Sequence, residues 1–278
     1  MNALELKNVG KSFSGFCLDN ISLTLPSGCI MGLIGENGAG KSTTIKLILD
    51  MLHKDSGTIT ILGKDNGKDI SLIKEDVGVV MDEVGIPECL TAKQVGKVMK
   101  HTFRNWNDAE YARLLQKLFL PDDKPFRDFS RGMKMKLGIA VAMSHGAKLL
   151  LLDEPTSGLD PVVRDEVVEM FYDFTRNENH SILISSHIVS DLERLCDYVA
   201  FLHKGKLLLY EEKDELLSEY GIIHCTVEQL PKIGTVKYKK ETPYGAEVIV
   251  PRKDAPDGFK LSPISIEELF VFMVKEAK

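Results

Sequence analysis

Residues Gly35 to Thr43 read GENGAGKST. They match the pattern G-x-x-x-x-G-K-[ST] and lie between a short apolar run, CIMGLIG, and a segment of helical character from Lys41 to about Met51. Strand, glycine loop and helix form the context that a phosphate-binding loop requires. The glycines at 35, 38 and 40 let the backbone wrap, so that successive N–H groups, from Glu36, Asn37 and Ala39 onward, point at phosphate oxygens. Lys41 would reach the β- and γ-phosphates of a nucleotide, and the Ser42 hydroxyl would ligate Mg²⁺. The plain alternative is a glycine-rich turn, and the flanking elements weigh against it.

Outward from this loop, a second signal stands at Leu149 to Asp160, LLLLDEPTSGLD. An apolar strand ending in two adjacent acids places carboxylates at its C-terminal edge, where ligands of open α/β sheets collect. Asp153 would hold Mg²⁺, directly or through water, and Glu154 would orient or deprotonate an attacking water. Alone, the segment reads equally well as a strand meeting a solvated acidic turn. The third signal is SILISSH, a buried strand ending in His187. A histidine after a strand is usually a polar surface residue. Following a third strand of the same sheet, it can reach the same edge and bond a γ-phosphate.

The stretch DFSRGMKMKLGIA, Asp128 to Ala140, reads as a helix start. Ser130 fits an N-cap, and Met133, Leu137, Ala140 and Val141 recur at helical spacing. A glycine in the first turn costs about 1 kcal/mol relative to alanine. Arg131, Lys134 and Lys136 add positive charge at an end already positive from the helix dipole. That charge makes sense beside an anion.

Composition bounds the rest. The chain has 278 residues, 44% of them hydrophobic, and a net charge of −6, so a sizeable core is available and no global basic field points to nucleic acid. Five cysteines without a C-x-x-C pair suit a reducing compartment, most of them as small buried hydrophobes. The start, MNALELKNVG, has no apolar signal-peptide core, and the apolar block AKLLLLD is far too short to span a bilayer. The expectation is a soluble chain whose membrane role, if any, runs through a partner.

LELKNVGKSF and LDNISLTL alternate like antiparallel strands, and DSGTITILG and VGVVMDE supply further ones. Strands then alternate with helices (Val162 to Thr175, VSDLERLC) and with the strand YVAFLH, which implies a parallel α/β sheet. A helix-rich block from about Val84 to Gly146 interrupts this order as a helical lobe, with a new helix capped at Asn107 or Asp108. After Tyr220 the segments IIHCTVE, TVKYK and AEVIV read as short strands and SIEELFVFMVK as an amphipathic helix whose apolar face (Ile266, Leu269, Phe270, Met273) packs on those strands. The expected division is residues 1–218 and a small α+β appendage, 219–278.

Together GENGAGKST, SRGMK, LLLLDEPTSGLD and ISSH, in that order, resemble the ATP-binding subunit of an ABC transporter over about residues 1–218. The resemblance implies a P-loop NTPase fold: a RecA-like parallel-sheet core, an antiparallel β subdomain and a helical lobe. It implies that Phe13, in KSF, stacks on adenine, against the alternative of a half-buried strand aromatic. It implies that Lys41, Ser42 and Thr43 contact nucleotide and metal, that Asp153 and Glu154 are metal residue and catalytic base, that Ser157 to Asp160 cross a dimer interface, and that His187 is the switch histidine. In this family the signature helix points its N-terminus at ATP held by the other subunit. A helix end of free N–H groups is an anion site. Ser130 would bond the γ-phosphate and Gly132 would let the backbone approach. ATP and Mg²⁺ are then clamped in a homodimer or heterodimer that drives separate transmembrane permease subunits from the cytoplasmic face of the membrane.

Two departures stand out. The usual signature L-S-G-G-Q is FSRGM here, a form resembling exporter-type bacterial members. The usual glutamine after VGVVM is Asp82, with Glu83 as a competing alignment. A carboxylate there binds a cation more strongly than an amide and also repels phosphate. Two rival readings stand beside the transporter: a soluble ATPase of the same family acting on ribosomes or DNA, and a module that binds nucleotide only for regulation. Ribosome-associated members usually carry two ATPase units, DNA-repair members a long coiled-coil insertion, and the acidic balance gives no support for nucleic acid.

Overall fold

The structure, a computed structural model, describes residues 1–234, 236, 238–243 and 245–276. Among these, the larger of two sheets has ten strands: β1 (Asn2–Phe13), β2 (Phe16–Pro26), β3 (Ile30–Gly35), β4 (Ser56–Ile61), β5 (Lys64–Asp65), β6 (Val77–Val80), β7 (Leu149–Asp153), β8 (Ser181–Ser186), β9 (Tyr198–His203) and β10 (Lys206–Glu212). Their order across the sheet is β5-β4-β1-β2-β10-β9-β3-β8-β7-β6. The alternating segments β1, β2 and β4 pair antiparallel. The continuous apolar runs β9, β3, β8, β7 and β6 pair parallel, as strands covered on both faces do. Every residue of β3, β7 and β8 is buried. The family of folds expected from the sequence, a P-loop α/β core with an antiparallel flank, is therefore the one observed.

Register carries the functional consequence. Ile34 lies opposite Ser186, and Asp153 opposite Ser185. The ends of β3, β8 and β7 thus stop at one level, and the loops that leave them emerge at one edge.

The helices are α1 (Lys41–Ile48), α2 (Ile70–Ile73), α3 (Ala92–Thr102), α4 (Asp108–Lys117), α5 (Arg131–Met143), α6 (Pro161–Thr175), α7 (Val189–Leu195), α8 (Lys213–Glu219) and α9 (Ile266–Glu276). Their starts reflect local chemistry. Thr91 and Gln94 close a capping box on α3, and the Asn107 side chain accepts from Glu110 N–H at the head of α4. Between Val84 and Gly146 the chain is built mainly of α3, α4 and α5.

The second sheet has the order β12-β13-β11-β14, with β11 (Tyr220–Cys225), β12 (Tyr238–Thr242), β13 (Gly245–Pro251) and β14 (Leu261–Ser262). The expected strand TVKYK falls partly outside the described residues, at positions 235 and 237. Helix α9 does not pack on this sheet alone. Phe270 meets Phe201 of β9 edge-on, with ring centroids 5.3 Å apart, and Ile266 N–H donates to the Glu193 carboxylate of α7 at 3.3 Å. Ile266, Leu269 and Phe270 join the same buried cluster as Phe171 and Phe201. The apolar face of α9 is wide enough to serve both layers.

One strand was not anticipated, and one further expectation needs correction. Strand β10 comes after YVAFLH through a tight turn at Lys204 and Gly205, both at positive φ (46° and 79°), the conformation that joins twisted antiparallel strands. The apolar run LLL inside it gave no alternation to read. The cysteines are also more exposed than expected: Cys196 is buried, Cys29 and Cys225 are partly so, and Cys17 and Cys89 are exposed. Burial pushes the Cys196 thiol well above its ordinary range, which leaves it an inert packing group against Gly32.

Candidate functional site

The phosphate loop leaves β3 at Gly35 and enters α1 at Lys41. Gly40, the residue before the helix, has φ 113°, and a Cβ there would stand 2.8 Å from Leu18 and 3.1 Å from the Phe16 ring. Both conformation and space therefore require glycine. The loop bends back so that Lys41 Nζ donates to the Gly35 carbonyl at 2.7 Å and to the Glu36 carbonyl at 3.3 Å. Lys41 is only 5% exposed, so its charge needs an anionic partner. That partner is Glu154, whose Oε1 lies 3.2 Å from Nζ.

Glu154 comes directly after the last residue of β7, two strands from β3 in the sheet. Its φ of 52° is left-handed, a conformation that costs a residue with a side chain about 1–3 kcal/mol. Its N–H holds the turn by donating to the Ser185 carbonyl and to Ser185 Oγ, each at 3.1 Å. The other carboxylate oxygen, Oε2, lies 2.7 Å from His187 Nδ1 and accepts the His187 N–H at 3.3 Å. Lysine, glutamate and histidine from three separate segments thus meet through one carboxylate. Asp153, 3% exposed, accepts the Ser185 hydroxyl at 2.5 Å through Oδ1.

A cleft of about 460 Å³ opens over this group, lined by Phe16, Asn37, Gly38, Gly40, Lys41, Ser42, Thr43, Asp82 and Glu154. Phe16, rather than Phe13, supplies its aromatic wall. Phe13 stands at the end of β1 with its ring centroid 6.3 Å from that of Phe16, and Lys11 Nζ lies over the Phe13 ring, 5.8 Å from its centroid. Gly35, Glu36 and Ala39 form the loop behind the cleft, where Ala39 N–H bonds the Glu36 carbonyl at 3.0 Å. Asp82, after β6, reaches the cleft from the far side; the competing Glu83 does not line it.

Ser130 caps α5 as expected, its Oγ accepting from Met133 N–H at 3.3 Å. It is exposed and lies outside the residues that line this cleft. Gly132 is packed: a Cβ there would stand 3.2 Å from Val163 of α6. The segment Ser157–Asp160 leads from the Glu154 turn into α6, and Asp160 caps that helix by accepting from Val162 and Val163 N–H at 3.1 Å each.

Ser185 is one of two residues whose role sequence reading missed. It belongs to the ISSH stretch, where His187 draws the attention, and only the β7–β8 register shows that it serves both acids at once. Phe16 was hidden for a similar reason: it opens β2, and only the hairpin brings it over Gly40.

The fold and the cleft define a P-loop nucleotide-binding subunit. The sequence profile of the ABC transporter family matches residues 18–157. A lantibiotic transport ATP-binding protein of Streptococcus pyogenes is 37% identical over 215 residues, covering 76% of this chain and 91% of its own length. An uncharacterized ABC transporter ATP-binding protein of Bacillus subtilis is 31% identical and covers 99% of this chain and 97% of its own length, so its likeness runs through the C-terminal segment too. The solved structure of an ATP-binding subunit of an ABC transporter superposes with a TM-score of 0.68 at 28% identity, covering 77% of this chain and 91% of that one. The chain belongs to the ABC transporter family. It is an ATP-binding subunit of a transporter and an ATPase. These relatives do not favour the soluble or purely regulatory alternatives.

Replacing Ser185 by alanine strips the buried Asp153 carboxylate of its hydroxyl donor and the Glu154 N–H of one acceptor. Losing a hydrogen bond to a charged group costs about 1.5–3 kcal/mol. Urea unfolding of the nucleotide-free Ser185→Ala protein should show a loss of that order, and an unchanged midpoint would contradict the role given to Ser185.

Proposed function

We propose that the chain is one of two facing ATPase subunits that clamp ATP and Mg²⁺ between them and drive export through separate membrane subunits. The observation that carries this reading is the junction of Lys41, Glu154 and His187 at the edge of the sheet.

The residues suit the metal. Ser42 and Asp82 line the cleft and offer hard oxygen donors, and Asp153 offers another at the end of β7. Mg²⁺ takes few protein ligands and shares its sphere with substrate phosphates, which fits this sparse set. When bound, the ion neutralises charge that develops on the phosphates.

In the nucleotide-free chain Lys41 and His187 both hold Glu154, so the acid is occupied. Arriving phosphates compete for Lys41, since a triphosphate offers more negative charge than one carboxylate. Transfer of the lysine frees Oε1 of Glu154 to accept from the attacking water. His187 remains on Oε2 and keeps the carboxylate oriented. The glycine loop contributes backbone N–H groups, and Phe16, with Phe13 beside it, offers a face to the base. Ser130 lies outside its own chain's cleft; it completes the site of a second copy, where it would meet the γ-phosphate. The likeness to ATP-binding subunits of transporters supports attachment at the cytoplasmic face through permease partners. The likeness to a lantibiotic transport subunit and the FSRGM signature support export as the direction.

Glu154→Gln should retain ATP binding, trap the dimer and lose turnover by about 10²–10⁴-fold. Phosphate release checks the rate and gel filtration with Mg²⁺–ATP checks the dimer; hydrolysis at the parent rate removes Glu154 from the role of base. Mixing Lys41→Ala with Ser130→Ala chains should regenerate one intact site per mixed dimer and recover part of the ATPase activity. No recovery where mixed dimers demonstrably form would contradict the shared site.

A further inference from the structure

The two departures from the family pattern touch each other. Arg131 Nη2 donates to Asp82 Oδ1 at 3.0 Å across 49 residues of sequence. Asp82 stands just after β6, and Arg131 opens α5 directly after Ser130. The same guanidinium lies against Gly158, where a Cβ would stand 3.0 Å from its Cζ and Nη1. Arg131 therefore fills the space that a side chain at position 158 would take, between Asp82 and the turn that leaves Glu154. Asp82 in turn belongs to the walls of two cavities. One is the nucleotide cleft with Lys41 and Glu154; the other, of about 490 Å³, it shares with Arg131, Lys134 and Met135.

The pair contributes little as a stability device, because the two side chains are 55% and 53% exposed. Its effect is on charge and position. A bare carboxylate beside a triphosphate repels it, and a bare guanidinium at a helix N-terminus is opposed by the dipole. Each residue removes the other's penalty. A guanidinium stays protonated throughout the physiological range, so the pairing is always available.

We propose that Arg131 is a positioning residue for Asp82. It neutralises and holds that carboxylate before the metal–nucleotide arrives, so that the site tolerates an acid where an amide is usual. It also ties the state of this chain's own cleft to the helix end that bears Ser130. The inference rests on the proposed function, in which Asp82 faces metal and phosphates.

The test is ATP affinity, measured by titration of a fluorescent ATP analogue in EDTA and again in excess Mg²⁺. Arg131→Ala should weaken metal-free binding by about two- to fivefold, the range of a partly exposed charge pair, and change binding with Mg²⁺ less. Arg131→Lys should fall between the parent and Arg131→Ala. Adding Asp82→Asn to Arg131→Ala should return metal-free affinity to the parent value or above. Equal losses with and without metal that Asp82→Asn does not recover would assign Arg131 a merely structural role and overturn the proposal. No loss in Arg131→Ala, with Asp82→Asn alone still altering the metal dependence, would overturn the proposal and leave the role of Asp82 intact. No effect of Asp82→Asn on metal dependence would overturn both.

Discussion

The ion pair between Lys41 and Glu154 is the constraint on which the rest of the site depends. Burying a lysine to 5% exposure is costly unless its charge is paired, and the partner sits two strands away. Only a parallel sheet in which β3, β8 and β7 end level brings the two within 3.2 Å. The fully buried strands, the glycine loop with its left-handed Gly40 and the strained turn at Glu154 all serve that requirement. Ser185, on the strand between, holds the Glu154 N–H and the Asp153 carboxylate together. Chemistry at this edge is thus a product of strand register as much as of residue type.

A second layer of organisation links this edge to the end of α5. Ser130 points its capping oxygen at its own helix and stands in the open, away from the cleft. Its neighbour Arg131 turns inward to Asp82 and to the Gly158 turn. One helix end therefore offers a serine outward and an arginine inward. In the proposed dimer the contact to Asp82 would face one nucleotide and the serine the other. The helix start that looked miscast in the sequence, with positive charge on a positive end, is consistent once Asp82 is seen beside it.

Much of this was legible in the residues alone. The loop GENGAGKST, the acidic strand end and the histidine after SILISS each carry a local pattern, and their common edge is implied by the alternation of strands with helices. The hidden part depends on distance rather than pattern. Ser185 reads as one more residue of a buried strand. Phe16 and Phe13 both sit near the hairpin, and only the backbone path over Gly40 chooses Phe16 for the cleft wall. Gly132 reads as an opening for phosphate, and what the sequence does not show is that its missing side chain also leaves room for Val163. Asp82 and Arg131 looked like two separate exceptions because nothing in the intervening sequence announces their contact. Helix α9 reads as the cover of its own small sheet, yet Phe270 reaches Phe201.

The central claim is that Lys41 leaves Glu154 for the phosphates and so turns a neutralised acid into a base. Crystal structures of the protein without nucleotide and with Mg²⁺ and a non-hydrolysable ATP analogue test it directly. The account predicts Lys41 Nζ on Glu154 in the first and on phosphate oxygens, beyond hydrogen-bond reach of Glu154, in the second. A lysine still paired with Glu154 while the analogue occupies the loop would contradict it.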